Sequence, residues 1–269
     1  MSLTHTVQAF NTATASENKI HDDETAQKFG FQGGLVPGVE VYAYMAHVPV
    51  ARWGTDWLER GQAEARFVKP VYDGHEAIAK GTVKADDPST LELSIESLGQ
   101  TCATGHASLI DEPVVAFAPE DIPAKALPQE RPPASPTSLV EGSTLGTVPF
   151  CWTKQEAQTY LEEVRETEPL YLKEGICHSG FLLRAANSAL AQNVLLGPWI
   201  HVGSHIQHQS LARFDEPLEA RSRVLKNYEQ KGHLFVVLDV LILADAKRPV
   251  ASIRHTAIYL PRQVRDHAA

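Results

Sequence analysis

The chain repeats itself, and this constrains its fold more than any other feature. Ala65-Arg66-Phe67-x-x-Pro70 recurs as Ala212-Arg213-Phe214-x-x-Pro217, 147 positions later (212 − 65). Gly38 and Gly180 each open an apolar segment, 142 positions apart (180 − 38). Gly105-His106-Ala107-Ser108-Leu109 has its counterpart in Arg254-His255-Thr256-Ala257-Ile258, at 149 (255 − 106). A shared order at a near-constant offset marks a tandem duplication. Eight of the 17 prolines lie between Pro113 and Pro149, a composition that favours extended, solvated chain. The 269 residues therefore divide into an N-terminal unit over 1–118, a proline-rich linker over 119–146 and a C-terminal unit over 147–269.

Each unit reads as one buried helix against a sheet. Leu91, Leu93 and Ile95 alternate with Glu92, Ser94 and Glu96, the pattern of a half-buried strand. Leu234 to Leu243 is apolar at nearly every position and predicts a strand covered on both faces. Further strands are expected within 75–84, 101–110, 199–210, 219–226 and 250–259. The segments after Gly38 and Gly180 are apolar almost all round, as a helix enclosed by a sheet would be, and Val50, Trp53 and Trp57 continue the first at helical spacing. The fold class is α+β: antiparallel sheets, each wrapped around a long buried helix.

Charge excludes some functions. Twenty-four Lys and Arg against 33 Asp and Glu leave a net charge of −9 with no basic run, so nucleic acid is not an expected partner. Three scattered cysteines (Cys102, Cys151, Cys177) form no C-x-x-C pair. The N-terminus lacks the pattern of a signal peptide, and the most apolar stretch is too short to span a bilayer. A cytoplasmic protein without membrane association is the expectation. No nucleotide-binding glycine loop is present.

The most specific stretch is Ser16-Glu17-Asn18-Lys19-Ile20-His21, then Ala26-x-x-x-Gly30-Phe31, then Gly34-Leu35-Val36-Pro37-Gly38. It resembles the MaoC-like (R)-specific enoyl-CoA hydratase/dehydratase family, whose pattern runs D-x-N-P-[LI]-H, A-x-x-x-G-F and a His-Gly pair opening the central helix. Arg66-Phe67-x-x-Pro70-Val71-x-x-Gly74 is similar to that family's strand entry. With the repeat, the resemblance spans nearly the whole chain and implies a double hot-dog fold.

The resemblance also implies an activity: reversible hydration at the 2,3-bond of an acyl thioester, on coenzyme A or an acyl carrier, with no metal or redox cofactor. His21 falls on the family's catalytic His, Asn18 on the loop-ordering Asn and Gly38 on the oxyanion-site Gly. Ser16 stands at the position of the catalytic Asp with Glu17 beside it, Lys19 replaces the Pro, and Pro37 replaces the His. In the second half, Glu166-Thr167-Glu168-Pro169-Leu170-Tyr171 keeps an acid but has Tyr171 for the His, ahead of His178-Ser179-Gly180. Glu166, His178 and Gly180 are accordingly second-half candidates, for water activation and an oxyanion site in thioester hydrolysis. A non-catalytic acyl-thioester-binding protein is the remaining alternative. A monomer and a homodimer are both compatible with the repeat.

Other readings of these residues stay open. His21 with Asp22, Asp23 and Glu24 also suits the charged start of a helix. Glu17 suits an exposed loop better than a catalytic base. An Arg184 buried on an apolar helix requires a partner. His201, His205 and His208 suggest a metal cluster, but on a strand His201 and His205 share a face roughly 13 Å apart and His208 faces away. No metal is expected.

Overall fold

The computed structural model describes residues 2–111 and 117–268. Pro113, the first of the clustered prolines, lies outside the described residues.

The first half supplies β1 (Ser2–Gln8), α1 (Asp23–Lys28), α2 (Gly38–Trp53), α3 (Thr55–Arg60), β2 (Gly61–Phe67), β3 (Glu76–Lys84), β4 (Asp87–Ser97) and β5 (Gln100–Leu109). The second supplies β6 (Val148–Cys151), α4 (Lys154–Glu163), α5 (Leu170–Glu174), α6 (Ser179–Ala191), β7 (Ile200–His208), β8 (Pro217–Gln230), β9 (His233–Ala244), β10 (Arg248–Leu260) and α7 (Arg262–Ala268). The two five-stranded antiparallel sheets join through β2 and β7 into one ten-stranded sheet, ordered β1-β3-β4-β5-β2-β7-β10-β9-β8-β6. The second five strands mirror the first about the central β2–β7 pair, as a duplicated chain with a pseudo-two-fold axis requires.

The structure fixes the repeat more closely than the motifs do. Pro37 and His178 are the N-caps of α2 and α6, and the isolated bridges Leu35–Tyr72 and Ile176–Arg213 are equivalent. Both comparisons give an offset of 141 (178 − 37 and 213 − 72). The Ala-Arg-Phe match at 147 joins positions that are not equivalent: Ala65–Phe67 closes β2, whereas Ala212–Phe214 lies in the loop after β7. Likewise Trp57 is not on the helix of Val50 and Trp53. Gly54, with φ of 59°, ends α2 and starts α3.

Burial explains the elements. Along β4 only the alternating apolar face is buried, with Leu91 and Ile95 fully enclosed. On β9 one face meets the core through Val236, Leu238, Val240 and Ile242, and the other carries Leu241 and Leu243. The linker covers that second face: Phe117 and Ile122 pack on Leu241 and Leu243, and Leu139 is also fully buried. The proline-rich segment is thus pinned at a few buried residues, among them Ile122, Leu139 and Leu145, while most of 119–146 remains exposed or half-buried as its composition predicts.

The two central helices touch. Tyr42 on α2 hydrogen-bonds Ser179 on α6 at 2.8 Å, and Arg184 Nε donates to Glu40 at 2.7 Å while its Nη2 donates to Glu163 at 2.8 Å. Arg184 has the partners its setting demands. Burial raises the Glu40 carboxyl above its ordinary range, against the pull of the guanidinium. Among the described residues no helix is long and apolar enough to cross a membrane.

Candidate functional site

The loop from Ser16 to Gly38 folds around His21. Asn18 caps a 3-10 turn over Lys19–His21, its side chain accepting from the Ile20 N–H. It also clamps the second half: Asn18 Nδ2 donates to the Trp199 carbonyl at 3.0 Å, and the Trp199 N–H donates to Asn18 Oδ1 at 3.1 Å. His21 Nδ1 lies 2.6 Å from the Leu35 carbonyl, so it carries the proton and donates. Nε2 is then the acceptor, 3.3 Å from Asn18 Nδ2. Gly34 lets the two segments meet, since a Cβ there would collide with the His21 carbonyl. Burial lowers the His21 pKa, opposed by the Leu35 hydrogen bond, and leaves a neutral imidazole with a directed lone pair.

His21 stands where clefts meet. One is apolar, enclosing about 830 Å³ with its open mouth included, and is lined by Leu35, Val36, Val41, Phe67, Trp199 and Ile200 among others, with Gly38 at its wall. A polar cleft of about 1220 Å³ contains Glu40, Arg131, Glu163 and Arg184. Asn18, His21, Pro37, Asn187 and Trp199 line both. A third, acidic opening carries His21 with Asp22, Asp23 and Asp73. No side chain caps α2, whose N-cap is Pro37; the Glu40 N–H donates to the Pro37 carbonyl at 2.9 Å, and the Gly38 and Val39 N–H groups keep their donor capacity at the start of the helix.

The remaining loop residues are placed differently from the family pattern. Ser16 Oγ donates to the Asn18 carbonyl at 3.2 Å and braces the turn. Glu17 does not stand in for the missing Asp: Arg131 holds it by two hydrogen bonds at 3.0 and 3.2 Å, with its side chain 78% exposed. That pairing also lowers the Glu17 pKa.

The second-half candidates do come together, but in the interior. Glu166 accepts from the N–H groups of Thr167 and Glu168 at 2.6 and 2.7 Å, from His47 Nδ1 at 2.7 Å, and from His178 Nε2 at 3.4 Å. These bonds outweigh burial and hold its carboxyl well below the ordinary range. His178 is fully buried and its Nδ1 accepts the Gly180 N–H at 2.9 Å. The proposed oxyanion donor is therefore already used, because His178 caps α6 where Pro37 leaves α2 uncapped. Gly180 serves packing instead: a Cβ would meet Tyr160 Oη and come within 2.8 Å of Ala43 Cβ. Tyr171 is buried against His178, with ring centroids 4.7 Å apart. His47 escaped the sequence reading; an isolated His in an apolar helix was the available signal.

The strand histidines are also rearranged. A register shift in the β7–β10 ladder leaves Val202 without a partner, so His201 and His208 point inward and His205 outward. His201 Nε2 is 2.8 Å from Ser204 Oγ, which lies 3.0 Å from His255 Nδ1. His208 Nε2 is 2.9 Å from Ser179 Oγ. Among the described residues no group of three or more His, Cys, Asp or Glu converges to hold a metal. Glu40, Asn187 and His201 were not singled out as site residues, although each is a polar residue interrupting an apolar run.

His201 explains Gly38. A Cβ on Gly38 would lie 2.9 Å from His201 Nδ1 and 3.2 Å from the Phe67 ring. The His201 ring cannot swing aside, being stacked on His255 at 4.2 Å and bonded to Ser204. Gly38→Ala is thus expected to destabilise the protein by about 1–3 kcal/mol despite its better helix propensity. Denaturant melts would check this, and an unchanged midpoint would contradict the packing argument.

Solved structures share this fold. A conserved protein from Mycobacterium tuberculosis, described as having a double hotdog fold, matches with TM-score 0.64 and 12% identity over 96% of this chain and 95% of its own. A provisionally assigned MaoC domain dehydratase from Chloroflexus aurantiacus matches with TM-score 0.61 and 12% identity over 97% and 95%. A provisionally assigned oleoyl thioesterase from Lactobacillus plantarum matches with TM-score 0.54 and 14% identity over 97% of both chains. The fold is the double hot-dog, as the sequence resemblance implied. No family model matches the sequence, and no curated protein matches it.

Proposed function

We propose that this double hot-dog chain is an acyl-thioester hydratase/dehydratase whose site lies in the first half, with His21 as its acid/base. The arrangement that supports the reading is a neutral His21, its proton fixed on the Leu35 carbonyl and Nε2 at an apolar cleft, beside the uncapped start of α2. In hydration, a water takes the place of the 3.3 Å Asn18 Nδ2 contact at His21 Nε2, which accepts its proton as the water oxygen bonds C3 of the enoyl group. The electron pair of the 2,3-bond moves to C2 and the thioester carbonyl. The imidazolium then returns its proton to C2, which balances the addition; dehydration runs in reverse. Backbone N–H groups at the start of α2 stabilise the charge on the carbonyl oxygen. One imidazole serving both transfers needs no carboxylate at position 16.

The charges around the apolar cleft support one orientation for a phosphate-bearing carrier. Two openings are unfavourable: one carries Asp22, Asp23 and Asp73, and in the other Arg131 and Arg184 are tied to Glu17, Glu40 and Glu163. Lys69, on the remaining rim, is hydrogen-bonded to the neutral Gln100. The carrier would enter past Lys69 and the acyl group point toward His21.

Crotonyl-CoA is the first substrate to test, with enoyl absorbance and free thiol followed together. Loss of absorbance without thiol is the expected result. Thiol release would replace hydration by thioester hydrolysis, and binding with neither change would leave a carrier of acyl thioesters.

A further inference from the structure

Asn187 is a polar residue with no assigned task at the junction of two clefts. It lies on α6 in the second half and lines both the apolar and the polar cleft, as His21 does from the first half. Its Oδ1 is buried with no hydrogen-bond partner among the described residues. A buried amide oxygen left unpaired costs on the order of 1–3 kcal/mol, so a turn of the side chain that brings it to a ligand in the cleft would supply its partner. Its neighbours at the junction are Pro37, which has no N–H, and Asn18 and Trp199, which bond each other.

We infer that Asn187 contacts the ligand and holds the attacking water, or the 3-hydroxyl of the product, together with His21. This rests on the function proposed above and extends it. A water adding to C3 has two hydrogens and must keep a lone pair for the carbon. His21 Nε2 accepts one hydrogen and Asn187 Oδ1 accepts the other, which turns the remaining lone pair toward the cleft. The amide oxygen only orients: the proton that moves goes to His21, and the other stays on oxygen and becomes the hydroxyl hydrogen. The second acceptor that Ser16 and Glu17 do not provide is thereby supplied across the interface between halves. An acyl group carrying a hydroxyl at C3 satisfies the same oxygen, whereas a saturated acyl group does not.

The test compares wild type with Asn187→Leu, a change of similar volume without the amide. Binding of 3-hydroxybutyryl-CoA and butyryl-CoA is measured by calorimetry, beside crotonyl-CoA hydration and thermal melts. Wild type is expected to bind the hydroxylated thioester about 5–30-fold more tightly, and the variant to lose that preference while binding butyryl-CoA as before. Hydration should fall about 10–100-fold with KM little changed, while the melting temperature holds or rises because an unpaired polar group is removed. Equal weakening for both ligands would place Asn187 on the carrier arm and overturn the inference, as would an unchanged preference. A lower melting temperature with proportionate loss of all binding would reveal a structural role and also overturn it. If wild type binds neither thioester, the site reading itself fails; if it binds both equally and hydrates crotonyl-CoA, only the role of Asn187 fails.

Discussion

His21→Ala is expected to lower hydration of crotonyl-CoA by about 10²–10⁴-fold, the usual share of a positioned acid/base group. The fall should appear in kcat and kcat/KM alike, because the proton it moves is in flight only in the transition state. The folded protein should survive, since what is removed is the hydrogen bond to the Leu35 carbonyl and the longer one from Asn18, each worth about 1 kcal/mol. In the wild type, burial depresses the His21 pKa below its ordinary 6.5. The hydration rate should therefore rise as pH increases through a value below 6.5 and stay flat across neutrality, because the base form is the active one. A profile that instead rises above pH 7 would point to a different base. Turnover within twofold of wild type in His21→Ala would remove His21 from the chemistry altogether.

Much of this architecture was legible because it rests on local patterns. The alternation in β4 and the unbroken apolar run of β9 each follow from which faces are buried, and the structure places both strands there. The repeat was legible in outline, but the Ala-Arg-Phe match misjudged its register, since three common residues can coincide in non-equivalent loops. Three strands escaped: β1 is half polar, β6 has only four residues, and β2 lay hidden within the family motif. The short helix α4 escaped as well, although Thr153 and Glu156 form a capping box at its start.

The candidate site divides along the same line. His21, Asn18 and Gly38 belong to one continuous segment and were singled out from it. Glu17 and Gly180 were placed by sequence neighbourhood, but Arg131 reaches Glu17 from another part of the chain, and His178 spends the Gly180 N–H in a local helix cap. Asn187 and His201 reach the cleft only because β2 and β7 join the halves, a contact that no spacing within one half encodes.

That interior carries an unusual load of neutral histidine, and acid should expose it. His208 and His255 are fully buried, and burial, with His178 adding to it at His208, pulls each down to about 3. Burial also drives His201 well below its ordinary value, with the stacked His255 contributing. His5, stacked on His47, falls to about 4 through burial and then that neighbour, against the opposing pull of Glu166. A folded-state pKa below the unfolded one means that the unfolded chain binds the proton first. The stability from these groups is then complete above pH 6.5 and is lost as pH falls toward 3. At pH 5 the difference is about 2 kcal/mol for each of His208 and His255, or on the order of 4 kcal/mol together. For a chain of this size that corresponds to roughly 8–16 °C in melting temperature between pH 7 and pH 5. Melts followed by circular dichroism across this range would read it directly. His255→Gln should flatten the slope by about one proton even where its stability at pH 7 is lower, because the slope counts titrating groups and not contacts. A melting temperature unchanged between pH 7 and pH 5 would mean that these imidazoles take up protons in the folded protein, which their burial opposes.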